Sequence, residues 1–270
     1  MAADTASAPA RSWRSWGAAA SREKSLMWSV RILSFLLLLA LWEWYGRKPD
    51  SFTIAPVTAV AEALWKGFAS GLFLSALAGT LFTMLVGYVI AAVLGVSVGL
   101  WIGVSQFARN TIEPLVHAAY ATPISLLIPI IGIYAGLGLR GRITLVVLWC
   151  VFEILVNTST GIREVPKGLV EVGRAFNAKK VDLYRKVILP AAMPYILLGL
   201  RIGVARAMRG AVTAELLLSA ANLGKILLRA GSTFDIPTLL ASIVLTMLMG
   251  LVLLRLASLI ESNRLSYRSR

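Results

Sequence analysis

The chain has one cysteine and one histidine in 270 residues. The lone Cys150 excludes a disulfide framework and any Cys-rich zinc or iron–sulfur site. The lone His117 excludes paired-histidine metal sites such as H-E-x-x-H, so no metal site is expected. Charge is also scarce, at 15% of residues, against about 25% in soluble domains. Acidic residues are scarcer still, 13 Asp and Glu against 27 Lys and Arg. No G-x-x-x-x-G-K-[ST] phosphate loop is present, so the chain is not expected to hydrolyse ATP or to carry a cofactor. A soluble enzyme with a charged surface is excluded, and lipid becomes the relevant solvent.

What fills the chain is apolar: 58% of residues are hydrophobic and mean hydropathy is +0.78. The pattern predicts an all-α polytopic membrane protein of about six transmembrane helices. Residues 1–25, rich in Ala, Ser and Arg, read as a disordered cytoplasmic tail. Residues 26–262 read as the membrane domain and 263–270 as a cytoplasmic C-terminal tail. The first span holds Ile32–Trp42 and ends in Trp44 and Tyr45. It lacks a small-residue cleavage site and reads as an uncleaved span. Residues 47–66 read as an external loop leading into a short amphipathic helix near 57–68.

From Gly67 to Ala108 no charge occurs for 42 residues. That length suits two short spans or one long helix. Gly79, Gly87, Gly95, Gly99 and Gly103 are spaced by 8, 8, 4 and 4 residues and therefore share one helical face. A hairpin would break that periodicity, so one long helix with a small-residue packing stripe is predicted. Further spans are expected near 115–137 (with Pro114, Pro123 and Pro129), 143–161, 194–219 and 236–258. With the N-terminus inside, cytoplasmic segments hold 16 Lys and Arg against 7 outside, and 4 lie within spans. This bias supports both termini on the cytoplasmic side. The net charge of +14 therefore reflects topology, and no nucleic-acid partner is expected.

The largest polar block is 162–190. Leu169, Val172 and Phe176 fall on one helical face, and Leu183 and Val187 on a face of a second helix near 179–188. Asn177 between them tolerates left-handed backbone. Pro190 is expected to end the second helix. Such an element either lies on anionic lipid or docks into a cytoplasmic partner.

The residues of this block resemble the EAA loop of bacterial ABC-importer permeases. Glu171, Ala178, Val187, Leu189 and Pro190 fit that pattern. Val172 and Gly173 depart from its two alanines, and Asn177 stands where Gly is usual. Phe152–Gly161, Leu189–Arg201, Ala214-Glu215-Leu216 and Asn222-Leu-Gly-Lys225 also resemble the family. Ile54-Ala-Pro56 and Ala135-Gly-Leu-Gly138 resemble its nitrate/sulfonate/taurine subgroup. The likeness covers about residues 30–262. It implies a permease dimer in the bacterial inner membrane, with two cytoplasmic ATP-binding subunits that carry ATP and Mg, and an extracytoplasmic substrate-binding protein. It also implies that Glu171, Arg174, Phe176, Asn177, Lys179 and Asp182 contact the ATPase.

Ionisable groups inside spans are costly and need a reason. Arg206 and Arg209 share one helical face, with Arg209 near mid-depth. Arg209 either attracts an anionic substrate such as a sulfonate, taurine or nitrate, or pairs internally with Glu153 or Glu215. Glu215, Arg206, Tyr120, Asn157 and Thr213 are further pathway candidates, although such polar groups in spans more often make interhelical hydrogen bonds than substrate contacts. Two other classes compete: a single-chain secondary transporter, against which stands the absence of a six-span internal repeat, and an intramembrane enzyme, against which stands the lack of a deep His or Lys base.

Overall fold

The computed structural model describes residues 13–48 and 54–265. The chain folds as two compact units, Met1–Ala61 and Glu62–Arg270. In order, the helices are α1 (Trp13–Gly46), α2 (Val57–Ala69), α3 (Leu72–Val104), α4 (Gln106–Ala121), a 3-10 turn Ile124–Leu127, α5 (Ile128–Tyr134), α6 (Leu139–Arg163), α7 (Lys167–Ala175), α8 (Lys180–Leu183), a π-helical turn Tyr184–Ile188, α9 (Leu189–Leu217), α10 (Asn222–Ser232) and α11 (Ile236–Leu265). Among the described residues, five helices are long and apolar enough to cross a membrane, or six when the bent pair α4 and α5 is one span.

In the first unit, α1 begins at Trp13, within the stretch that composition assigns to the tail. Ala18–Ala20, Arg22, Glu23 and Lys24 are good helix formers and extend the apolar segment toward the N-terminus. Residues 1–12 and 266–270 lie outside the described residues. Glu43 closes this unit. Its carboxylate accepts from Arg47 Nε at 2.6 Å, Thr58 N–H at 3.1 Å and Thr58 Oγ1 at 2.9 Å. It thereby caps the first turn of α2, which would otherwise leave backbone donors unsatisfied.

The second unit is built on α3, α6 and α9. The 33-residue helix α3 is about 50 Å long, as its uninterrupted glycine periodicity predicts. The stripe lets α6 come within backbone distance. Gly87 lies on Val146, Gly95 on Ile154, Gly99 on Thr158 and Gly103 on Ile162, a constant offset of 59 residues. A constant offset means the two helices run parallel. The chain must therefore return between them, which α4 and α5 do. Helix α9 also packs on α6: Gly199 meets Asn157, Gly203 meets Ile154 and Gly210 meets Trp149, so the two run antiparallel. Where lipid is the solvent, such close approach of small residues is the main source of helix association.

Three expectations are revised. The third span begins at Gln106 and is broken: α4 and the segment Ile124–Tyr134 meet at 91°. Thr122 is extended before Pro123, the conformation favoured for a residue preceding proline. Pro190 does not end the second helix of the 162–190 block, because Lys180–Leu217 is continuous. The π-helical turn Tyr184–Ile188 resets the carbonyl ladder, so Pro190 falls in the first turn of α9, where its missing N–H is harmless. Residues 222–232, expected as external loop, form α10. The last span, Ile236–Leu259, ends near the expected 258, and its helix runs on to Leu265.

A candidate coupling loop and a polar track between helices

The helix–joint–helix block is built by local rules. Pro166 precedes α7 and fixes its entry. The helix ends where Phe176 N–H bonds Val172 O at 3.2 Å and Ala178 N–H bonds Gly173 O at 3.2 Å. Asn177 takes φ 53° there, the left-handed geometry that the joint requires. Gly173 leaves room for the buried Leu183, so α7 folds back over α8. The base of the block is anchored by Val165, packed with Ile162, Ala192 and Ile196 against Val170, Tyr184 and Ile188. Motion of the block is thereby tied to the ends of α6 and α9.

Its outer face is the reverse of that base. Phe176 is 83% exposed, and Val172, Val181 and Leu169 are exposed around it. Glu171, Arg174, Asn177 and Lys179 are also exposed, and the side chains of Glu171, Arg174 and Lys179 have no ion-pair partner among the described residues. Asp182 differs, being engaged by Lys186 at 3.0 Å one turn away on the same helix. A protruding aromatic ringed by apolar and charged groups has the composition of a binding hot spot.

A second feature joins α4, α6 and α9 within the membrane-spanning region. Tyr120 Oη donates to Glu153 Oε2 at 3.0 Å, and Arg206 Nη2 reaches the same oxygen at 3.2 Å. Asn157 donates to Glu153 O at 2.8 Å. Glu153 was expected only as a partner for Arg209, but it serves Arg206 and Tyr120. Arg209, one turn further along α9, is exposed and has no partner among the described residues. The internal pairing with Glu153 or Glu215 weighed for it is therefore not made. Thr213 is half-buried on the same helix.

Glu215 stands apart from this track. It is fully buried. Its carboxylate accepts from Asn222 Nδ2 at 2.7 Å, Thr80 Oγ1 at 2.9 Å and the Gly224 N–H at 3.3 Å. With its oxygens so occupied, Glu215 is a staple between α3, α9 and α10 and not a substrate contact. The sequence contains Thr80 and Asn222, but nothing in the spacing marks them as its partners.

The chain matches the model of the binding-protein-dependent transport system inner membrane component over residues 91–265. The chain belongs to this family. It is therefore an ABC-importer permease subunit and a multi-pass membrane protein. NrtB of Leptolyngbya laminosa, a nitrate import permease protein, is 27% identical over 241 residues, covering 86% of this chain and 85% of that one. RibX of Chloroflexus aurantiacus, a riboflavin transport system permease protein, is 28% identical over 232 residues, covering 85% and 86%. SsuC of Bacillus subtilis, named for transport of aliphatic sulfonates, is 28% identical over 244 residues, covering 90% and 88%. The fold is also that of a chain in an inward-facing MetNI methionine ABC transporter, with TM-score 0.59 at 19% identity over 71% of this chain and 97% of that one.

Proposed function

We propose that two copies of this permease form the membrane core of an importer for a small anion. Both termini and the 162–190 block face the cytoplasm, in keeping with the 16-to-7 distribution of basic residues. The block docks, through Glu171, Arg174, Phe176, Asn177 and Lys179 with Asp182 at its edge, into a separate ATP-binding subunit that holds ATP and Mg. An extracytoplasmic binding protein delivers the cargo. Closure of the ATP-binding subunits is carried to the spans as rigid-body motion through the Val165 anchor. The observation that carries this reading is the 83% exposed Phe176 on a block packed into the ends of α6 and α9.

For the cargo, support comes from Arg209, an exposed guanidinium without a partner at membrane depth. A charge held there is costly, by about 2.5–3.5 kcal/mol on insertion scales, and a passing anion would offset that cost. Arg206 and Tyr120, held by Glu153, flank the same path. The relatives range from nitrate to riboflavin, so charge selection is the point to test. Arg209→Gln is expected to lower uptake of nitrate or an alkanesulfonate by at least tenfold, with membrane expression and Tm unchanged. Unchanged uptake of every anion offered to the intact transporter would refute the anion assignment.

A further inference from the structure

A cavity of about 660 Å³ opens between the start of α3, α10 and the start of α11. It lies at the far end of the bundle from the α7–α8 block. Leu72 lines it at one end of α3, whereas Gly103, near the other end, packs on Ile162 at the base of that block. Leu72, Ala76 and Ile226 make an apolar floor. Lys225 and Arg229, one turn apart on α10, stand over it. Both are exposed, and neither side chain has a partner among the described residues.

The remaining polar groups are nearly all committed. The lining's one carboxylate, Asp235, accepts the Thr238 N–H at 3.2 Å and caps the start of α11. Ser75 donates its hydroxyl to Leu72 O, Thr233 to Arg229 O, and Asn222 its amide to Glu215. The donors left unspent are the Lys225 ammonium, the Arg229 guanidinium and the Thr238 hydroxyl. A planar fork beside a point charge is a donor set for a tetrahedral oxyanion. Phe234, 82% exposed beside the cavity in left-handed backbone, and the 75% exposed Trp65 place aromatic rings at this end of the bundle. Such rings mark the headgroup level of a bilayer.

We infer that this cavity binds a phosphate, either the headgroup phosphate of an anionic lipid or a free phosphate ion. Lys225 and Arg229 hold its oxygens, and the floor takes the glycerol portion when the source is lipid. The site is separate from the cargo path and holds whether or not the cargo is an anion.

The test uses the full-length chain, purified and delipidated in neutral detergent, with short-chain phosphatidylglycerol, phosphatidylcholine and inorganic phosphate as probes. Binding is read by native mass spectrometry and by the shift in Tm. Phosphatidylglycerol is expected to bind the native chain roughly 25-fold more tightly than the Lys225→Gln, Arg229→Gln variant, since each basic residue near a charged headgroup strengthens binding about fivefold. Binding of phosphatidylglycerol alone identifies lipid as the source, and comparable binding of inorganic phosphate identifies the free ion. Should the double variant misfold, Lys225→Gln and Arg229→Gln singly are each expected to weaken binding about fivefold. Affinities unchanged within twofold in the variants, or no binding of either phosphate probe to the native chain, would overturn the inference. Because binding is read without transport, its failure is distinct from any failure of uptake.

Discussion

At the scale of single residues, the glycines of α3 set how close the helices come. A Cβ at Gly99 would sit 2.7 Å from Leu155 O and 2.7 Å from Thr158 Cβ. A backbone oxygen cannot yield as a flexible side chain would, so the helices must separate. Gly99→Ala is expected to destabilise the bundle by about 1–3 kcal/mol, read as a lower Tm in detergent. Gly168→Ala, which meets nothing within 4 Å, is the control and is expected to leave Tm unchanged. Glu215 makes a second prediction at this scale. Glu215→Ala strands the Thr80, Asn222 and Gly224 donors in a buried site, at a cost of about 1–3 kcal/mol for each donor left unsatisfied. Glu215→Gln keeps an acceptor and should lose distinctly less. Hydrogen exchange of the α10 amides would separate the two variants, with α10 loosened mainly by the alanine. The spacing of the glycines made their shared face legible in the sequence. The partner of Glu215 was not, because Thr80 is 135 residues away and only tertiary packing brings them together.

At the scale of elements, the π-helical turn Tyr184–Ile188 decides how the coupling block is carried. The sequence reading took Pro190 as a stop. Proline is a stop where its ring meets a regular carbonyl ladder, but the wider turn before it removes that conflict. The consequence is mechanical: one continuous helix runs from the block into the spans. Deleting one residue from the regular helix just after this turn should rotate α7 and α8 by about 100° relative to the rest of α9. The expected result is a transporter that still reaches the membrane and still hydrolyses ATP but no longer accumulates cargo. Preserved uptake would show that the phase of this helix is unimportant. The joint itself was legible, because Asn177 between two apolar-faced segments has few other uses and does take φ 53°. Residues 222–232 were read as loop because Lys225 and Arg229 interrupt the apolar pattern; they form α10, on whose edge both cations stand.

At the scale of the whole molecule, the two features with most bearing on function differ in exposure. The polar track of Tyr120, Glu153 and Arg206 ties three helices together through the largely buried Glu153 carboxylate, with Tyr120 and Arg206 partly exposed, whereas the 162–190 block turns its apolar and charged groups outward. Span number, the long glycine-striped helix and the polar block were all readable from periodicity and charge. The 91° break in the third span was not. Pro114, Pro123 and Pro129 announced a disturbance, but Pro114 sits within α4 and the chain turns only at Thr122 and Pro123. Which proline bends a membrane helix depends on what neighbouring helices offer the freed backbone.

The central claim is that the exposed block is the point where a cytoplasmic motor grips the spans. It is tested most directly by Phe176→Cys in a Cys150→Ser background, which has no other thiol. In intact cells the new thiol is predicted to escape a membrane-impermeant maleimide added outside. In inverted vesicles it should react, and a short bifunctional reagent should join it to an ATP-binding chain, with ATP changing the yield. Labelling from outside in intact cells would contradict the account.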